Sequence, residues 1–166
     1  MNKDKGFTLI ELMVVISIIG TLSTIVLGAL QSARLQANDS KRLTEVQQVE
    51  FALEMYYQDH DNHFPGSDGA GCGGWDTPGN GTFLNALSLG GYMPNIQDPS
   101  TNDDCGNYRY QLYPAGYCST DASKGAFYVL EIISFQVLAP KNPGFTSGNC
   151  SWTAHGKYVT GKYENG

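Results

Sequence analysis

The chain has 166 residues, ten Lys and Arg against sixteen Asp and Glu, a formal net charge of -6 and a pI near 4.8. Lys41-Arg42 is the only adjacent basic pair, so no basic patch exists to neutralise a phosphate backbone, which argues against nucleic-acid binding. The length suits one globular domain plus an extra segment, and charged residues, at 16%, fall below the ~25% usual for such domains.

The first six residues, Met-Asn-Lys-Asp-Lys-Gly, are short and polar. An apolar run starts at Phe7, and no charged side chain occurs from Leu12 to Ala33. A helix needs ~20 such residues to cross the hydrocarbon core. Lys3 and Lys5 favour a cytoplasmic N-terminus, with the rest of the chain outside. A secretory signal peptide removed whole is a rival reading, with Ser32-Ala33 as its small-residue site. Its apolar core should be only ~7–15 residues, however. A plain signal anchor fits the length but leaves one residue unexplained.

That residue is Glu11, which interrupts the run Phe-Thr-Leu-Ile-Glu-Leu-Met-Val-Val. A carboxylate at the centre of a spanning helix costs roughly 2.5–3.5 kcal/mol on insertion scales, so it calls for a partner. Cleavage between Gly6 and Phe7 would supply one, a cationic α-amino group four residues away. In an assembly, the amine of one subunit could neutralise Glu11 of its neighbour. Any other stagger would leave both charges unpaired in low dielectric, so the pair would also set register.

The string Lys5-Gly6-Phe7-Thr8-Leu9-Ile10-Glu11-Leu12 resembles the class III signal of type IV pilins and of the type II secretion pseudopilins. The likeness is closest from Lys5 to about Pro65. It implies that a membrane prepilin peptidase cleaves after Gly6 and N-methylates Phe7, and it gives Glu11 the assembly role derived above. The implied partners are copies of this chain in a helical filament, the peptidase and the inner-membrane assembly machinery. The implied location is the cytoplasmic membrane as a single-pass precursor with its head outside, then a surface or extracellular pilus.

Beyond the membrane run, apolar residues recur at Leu43, Val46, Val49, Leu53 and Tyr56 or Tyr57, the stripe of an amphipathic helix. Lys41, Arg42, Glu45, Glu50 and Glu54 lie mostly off that stripe. With Pro65 the first proline, one helix is expected from Phe7 to Gln58 or His60, roughly 80 Å long at ~1.5 Å per residue. Gly20 and Gly28 weaken it locally by ~1 kcal/mol each or allow close helix packing. Residues 64–82 read as a loop, 82–89 as a short helix and 90–106 as turns. Strands are expected at 108–113, 127–138 and 157–160. The fold class is α+β, a long N-terminal helix packed on a small antiparallel sheet, with a leader at 1–6, a transmembrane and assembly helix at 7–33 and an extracytoplasmic head at 34–166. The segments Asp98-Pro99, Tyr108-Arg-Tyr110 and Tyr128-Val-Leu-Glu131 resemble pilin heads.

Cys72, Cys105, Cys118 and Cys150 form no C-x-x-C pair and suit two disulfides in an oxidising compartment, with three pairings open and four free thiols the alternative. The segment Asp59-His60-Asp61-x-His63 sits at a helix end, where its side chains should diverge rather than hold a metal. Asp98, Asn102, Asp103 and Asp104 are oxygen-rich, but their spacing is not that of an EF-hand. They read as a solvated turn, with calcium the alternative. No Gly-x-Ser-x-Gly or P-loop occurs, and no catalytic or cofactor site is expected.

These readings make the chain a structural subunit of a pilus-like filament and not an enzyme. A pseudopilin is the near alternative. The four cysteines, and the lack of a Gly/Asp-rich segment after Glu131, favour a pilin. A membrane-anchored binding module that never polymerises is the alternative of another class.

Overall fold

The structure, a computed structural model, describes residues 7–69, 71–80, 83–99, 105–138 and 140–166. The expected leader, residues 1–6, lies outside these. One helix, α1, runs unbroken over Leu9–Asp59, two residues inside the expected start. No proline interrupts it. It ends at His60, where Asp61 (φ 50°) and Asn62 (φ 63°) turn the chain through the left-handed region that Asp and Asn tolerate.

Only the second half of α1 is packed. Val46, Val49, Ala52 and Leu53 are buried, with Leu43, Tyr56 and Tyr57 beside them. This stripe faces a three-stranded antiparallel sheet of order β1-β2-β5, formed by Tyr108–Tyr113, Phe127–Ile132 and Tyr158–Tyr163. Tyr108, Tyr110, Tyr128, Leu130 and Ile132 point at the helix. Alternate residues Phe127, Val129 and Val159 form a second cluster with Trp152 on the other face. The central strand β2 is therefore buried along its whole length.

The architecture is the expected α+β arrangement, with differences at the element ends. The short helix α2 spans Asn85–Leu89, and Thr82, where it was expected to begin, lies outside the described residues. Strand β2 stops at Ile132 rather than running to 138. There the backbone leaves the sheet, and the amides of Gln136, Val137 and Leu138 turn to the Asp39 carboxylate instead. Strand β5 runs on to Tyr163 through Gly161, where an added Cβ would lie 2.5 Å from the Tyr128 carbonyl and 2.7 Å from the Phe145 ring. A two-residue hairpin, β3 (Thr146–Ser147) with β4 (Cys150–Ser151), was not foreseen.

The cysteines pair Cys72–Cys105 and Cys118–Cys150, with Cα separations of 5.0 and 5.6 Å. None is free, so the free-thiol alternative falls. The first bridge ties the loop after α1 to the approach of β1. The second ties the β1–β2 connection to β4. Within the first loop, Asp76 exchanges both backbone hydrogen bonds with Tyr110, at 2.9 and 3.0 Å, and so covers part of the β1 edge.

Candidate functional site

Phe7 and every large apolar side chain of the first half of α1, from Leu9 to Leu30, are exposed. None of the most apolar 18-residue stretch is buried, and it belongs to a helix long and apolar enough to cross a membrane. Burying a Val, Leu, Ile or Phe side chain is worth about 1.5–3 kcal/mol, so the exposed set represents tens of kcal/mol. That exceeds the ~5–15 kcal/mol that holds an ordinary domain together. This half of the helix therefore requires lipid or other protein around it. A Cβ at Gly20 or Gly28 would meet nothing within 4 Å, so any packing role for these glycines needs a second molecule.

Glu11 lies in the first turn of this arm. Thr8 is the N-cap and forms a capping box with it. The Glu11 amide donates to Thr8 Oγ1 at 3.3 Å, while the Thr8 amide and hydroxyl donate to Glu11 Oε2 at 2.8 and 2.7 Å. Two of the amides that a helix start leaves without partners are satisfied in this way. Both bonds to the carboxylate use Oε2, so Oε1 remains open to another donor. Phe7 is 90% exposed, at the tip of the arm. Gly6, on the other side of the expected cleavage, lies outside the described residues.

The head grips the helix at a defined point. The Asp39 and Arg42 side chains are buried, and Arg42 Nη1 donates to Asp39 Oδ1 at 2.6 Å. Arg42 also donates in parallel to Asp98, from Nε at 2.7 Å and Nη2 at 2.8 Å. Asp39 then accepts from Gln136, Val137 and Leu138. Burial pushes the Asp39 carboxyl up, but these backbone amides and Arg42 outweigh it and hold it below its usual range. Before Asp39 no residue of α1 is buried, so the free arm ends at the clamp.

The model of the family described as "Prokaryotic N-terminal methylation motif" matches residues 1–27. The type II secretion system core protein G of Klebsiella pneumoniae is 31% identical over 117 residues, which cover 70% of this chain and 79% of that protein. The chain belongs to the type IV pilin and type II secretion pseudopilin family. Core protein G of Escherichia coli (strain K12) is 41% identical over 64 residues, 39% of this chain and less than half, 43%, of that protein. The type IV major pilin protein PilE1 of Neisseria gonorrhoeae is 31% identical over 114 residues, 66% of this chain and 52% of that protein. No solved structure matches significantly.

In this pilin-family chain the expected site residues do not converge on a pocket. Phe7 and Glu11 lie at the tip of the arm, and the four cysteines staple the head. His60 stacks on Tyr56 with ring centroids 3.6 Å apart, while His63 Nδ1 meets Glu164 at 3.2 Å, so the two histidines serve different contacts. Among the described residues, no group of three or more His, Cys, Asp or Glu comes together as metal ligands. The solvated-turn reading of Asp98 is corrected, because its carboxylate is buried against Arg42. Asn102, Asp103 and Asp104 lie outside the described residues.

Thr8 was missed, although Thr8-Leu9-Ile10-Glu11 carries the T-x-x-E signature of a capping box. By sequence, Arg42 and Glu45 belong to the charges that lie mostly off the packed stripe. Both are buried, because loops of the head close over that side of α1. Glu45 Oε2 accepts from the Tyr108 hydroxyl at 2.5 Å. For Asp39 the one local signal was Arg42 three residues on, and its remaining partners lie near residue 137.

Proposed function

We propose that this chain is a structural subunit of a pilus-like filament, processed after Gly6, N-methylated on Phe7 and assembled through α1. The exposed, uncharged first half of α1, headed by Glu11, carries this reading. Before assembly the arm lies in the cytoplasmic membrane, where the Thr8 box satisfies the helix start and holds the carboxylate in place. On assembly, Glu11 accepts from the Phe7 amine of a neighbouring copy, and the open Oε1 supports that role. The partners are further copies of the chain, the prepilin peptidase and the inner-membrane assembly machinery.

The test has two readouts. The mass of the N-terminal peptide, from protein purified out of its own membranes, is expected to start at Phe7 and to be one methyl group heavier. Glu11→Ala is expected to lower the filament yield by at least about tenfold, because the amine is then buried without its partner. A peptide that starts at Met1 or beyond Ala29, or a full filament yield from Glu11→Ala, would overturn the reading.

Identity to core protein G favours a second reading, a short periplasmic pseudopilus in place of a surface fibre. Deleting the gene discriminates between them. Loss of protein secretion marks the pseudopilin, and loss of a long surface fibre marks the pilin.

A further inference from the structure

We infer that an apolar groove on the head, formed where α1 meets the segment after α2, receives the N-terminal helix arm of a second copy of this chain. The inference rests on the filament reading and gives that filament a contact outside the membrane-derived core. Gln48, Phe51 and Met55 form one wall of the groove and Tyr92, Met93 and Pro94 the other, around about 510 Å³. Phe51 is 65% exposed in the middle of the packed half of α1, facing away from the core that Val49 and Leu53 enter.

Three observations select the occupant. First, the groove continues the arm. Leu22, Val26, Ala33, Ser40, Thr44 and Phe51 follow one another at the four- and seven-residue intervals of a single helix face. All six are exposed and none is charged; Arg34, Glu45 and Glu50 lie off this strip, while Lys41 and Glu54 border it and are turned to Glu45 and Lys162. Second, the chain carries a net charge of -6, so identical copies repel one another unless they meet across uncharged surface. Among the described residues, the exposed large apolar side chains outside α1 and Phe7 at its tip are the scattered Leu89, Tyr117 and Val137. The one extended apolar surface a second copy offers is thus its own arm. Third, α1 is continuous and cannot fold its first half back onto Phe51, so the cover comes from another molecule.

The contact is heterologous, groove against arm, and such a contact propagates into an open assembly instead of closing a dimer. At ~1.5 Å per residue, a partner arm centred near residue 20 lies on a groove centred near residue 50 when the copies are offset by roughly 45 Å along the helix axis.

The experiment uses the full chain in its own host. Phe51→Glu is compared with Phe51→Leu and wild type, and a photoactivatable crosslinking residue is placed at position 51. Because Phe51 is exposed, chain abundance and formation of both disulfides are expected to match wild type in every variant. Phe51→Glu is expected to lower the filament yield at least about tenfold, since the charge would be buried without a partner. Phe51→Leu is expected to retain filaments. The crosslinker is expected to join residue 51 to the segment 13–30 of a second copy. Wild-type filament yield from Phe51→Glu would overturn the inference while leaving the filament reading intact. A crosslink only to lipid, to a different protein or to another copy's head would do the same. No filament from wild type would overturn both.

Discussion

Glu131 is the residue whose chemistry departs furthest from its place in the sequence. It lies on β2, fully buried, and neither carboxyl oxygen has a hydrogen-bond partner among the described residues. Arg109 sits across the strand register, and His155 Nδ1 approaches to 3.8 Å. Burial pushes the carboxyl up to about 7 from its ordinary 4.5, with Arg109 opposing. Asp76 is pushed up to about 7 by burial and by the charge of Asp68. Both groups hold a proton more tightly folded than unfolded. Stability is therefore greatest while both are protonated and falls as pH rises towards about 7. Asp39 acts in the opposite sense, because its pKa is lowered by folding. Its contribution is present above 3.8 and is lost as pH falls below that. The detergent-solubilised chain should thus melt at a higher temperature at pH 5 than at pH 8. Glu131→Gln should flatten that profile by up to about 3 kcal/mol, the value of a shift this large. A melting temperature that falls from pH 8 to pH 5 would count against a buried neutral Glu131.

At the scale of elements, the clamp decides where the free helix ends and the head begins. Arg42 stands between two buried carboxylates, one on its own helix and one on the segment that follows α2. Arg42→Ala would leave both without their cation, and breaking a buried pair in this way costs about 3–5 kcal/mol. The loss should appear in chemical unfolding. It should also appear locally, as faster hydrogen exchange at Gln136, Val137 and Leu138, whose amides rest on Asp39. Exchange unchanged at those three positions would mean that the loop holds its place without the clamp. The disulfides act at the same scale. Each closes a loop of just over thirty residues, and together they fasten the irregular segments that flank β1 and β4.

At the scale of the whole molecule, one helix belongs to two environments. Among the described residues, none before Asp39 is buried, and those of the arm from Phe7 to Ala33 are all exposed. Removing residues 1–33 should therefore give a monomer soluble without detergent. Its unfolding free energy should lie within about 1 kcal/mol of the full chain, since every described residue of the deleted segment is exposed. Equilibrium ultracentrifugation and chemical unfolding check this. Aggregation or loss of structure in that fragment would mean that the boundary between arm and head lies elsewhere.

The sequence alone determined the helix, its two halves and the α+β class. These depend on periodicity, on an uncharged run and on the first proline, all of which are local. It also marked Glu11, because one carboxylate in an apolar run is conspicuous without any structure, and the Thr8 box could have been read beside it. Tertiary structure decided which cysteines pair, where β2 stops, why Arg42 and Glu45 are buried, and that Asp98 is an ion-pair partner and not part of a solvated turn. Each of these depends on residues far apart in the chain, such as Asp39 with Leu138 or Arg42 with Asp98. The loops that bring them together have no regular period to betray them. The groove at Phe51 belongs with these, since a lone aromatic off the packed stripe acquires meaning only when Tyr92 and Met93 come to lie beside it.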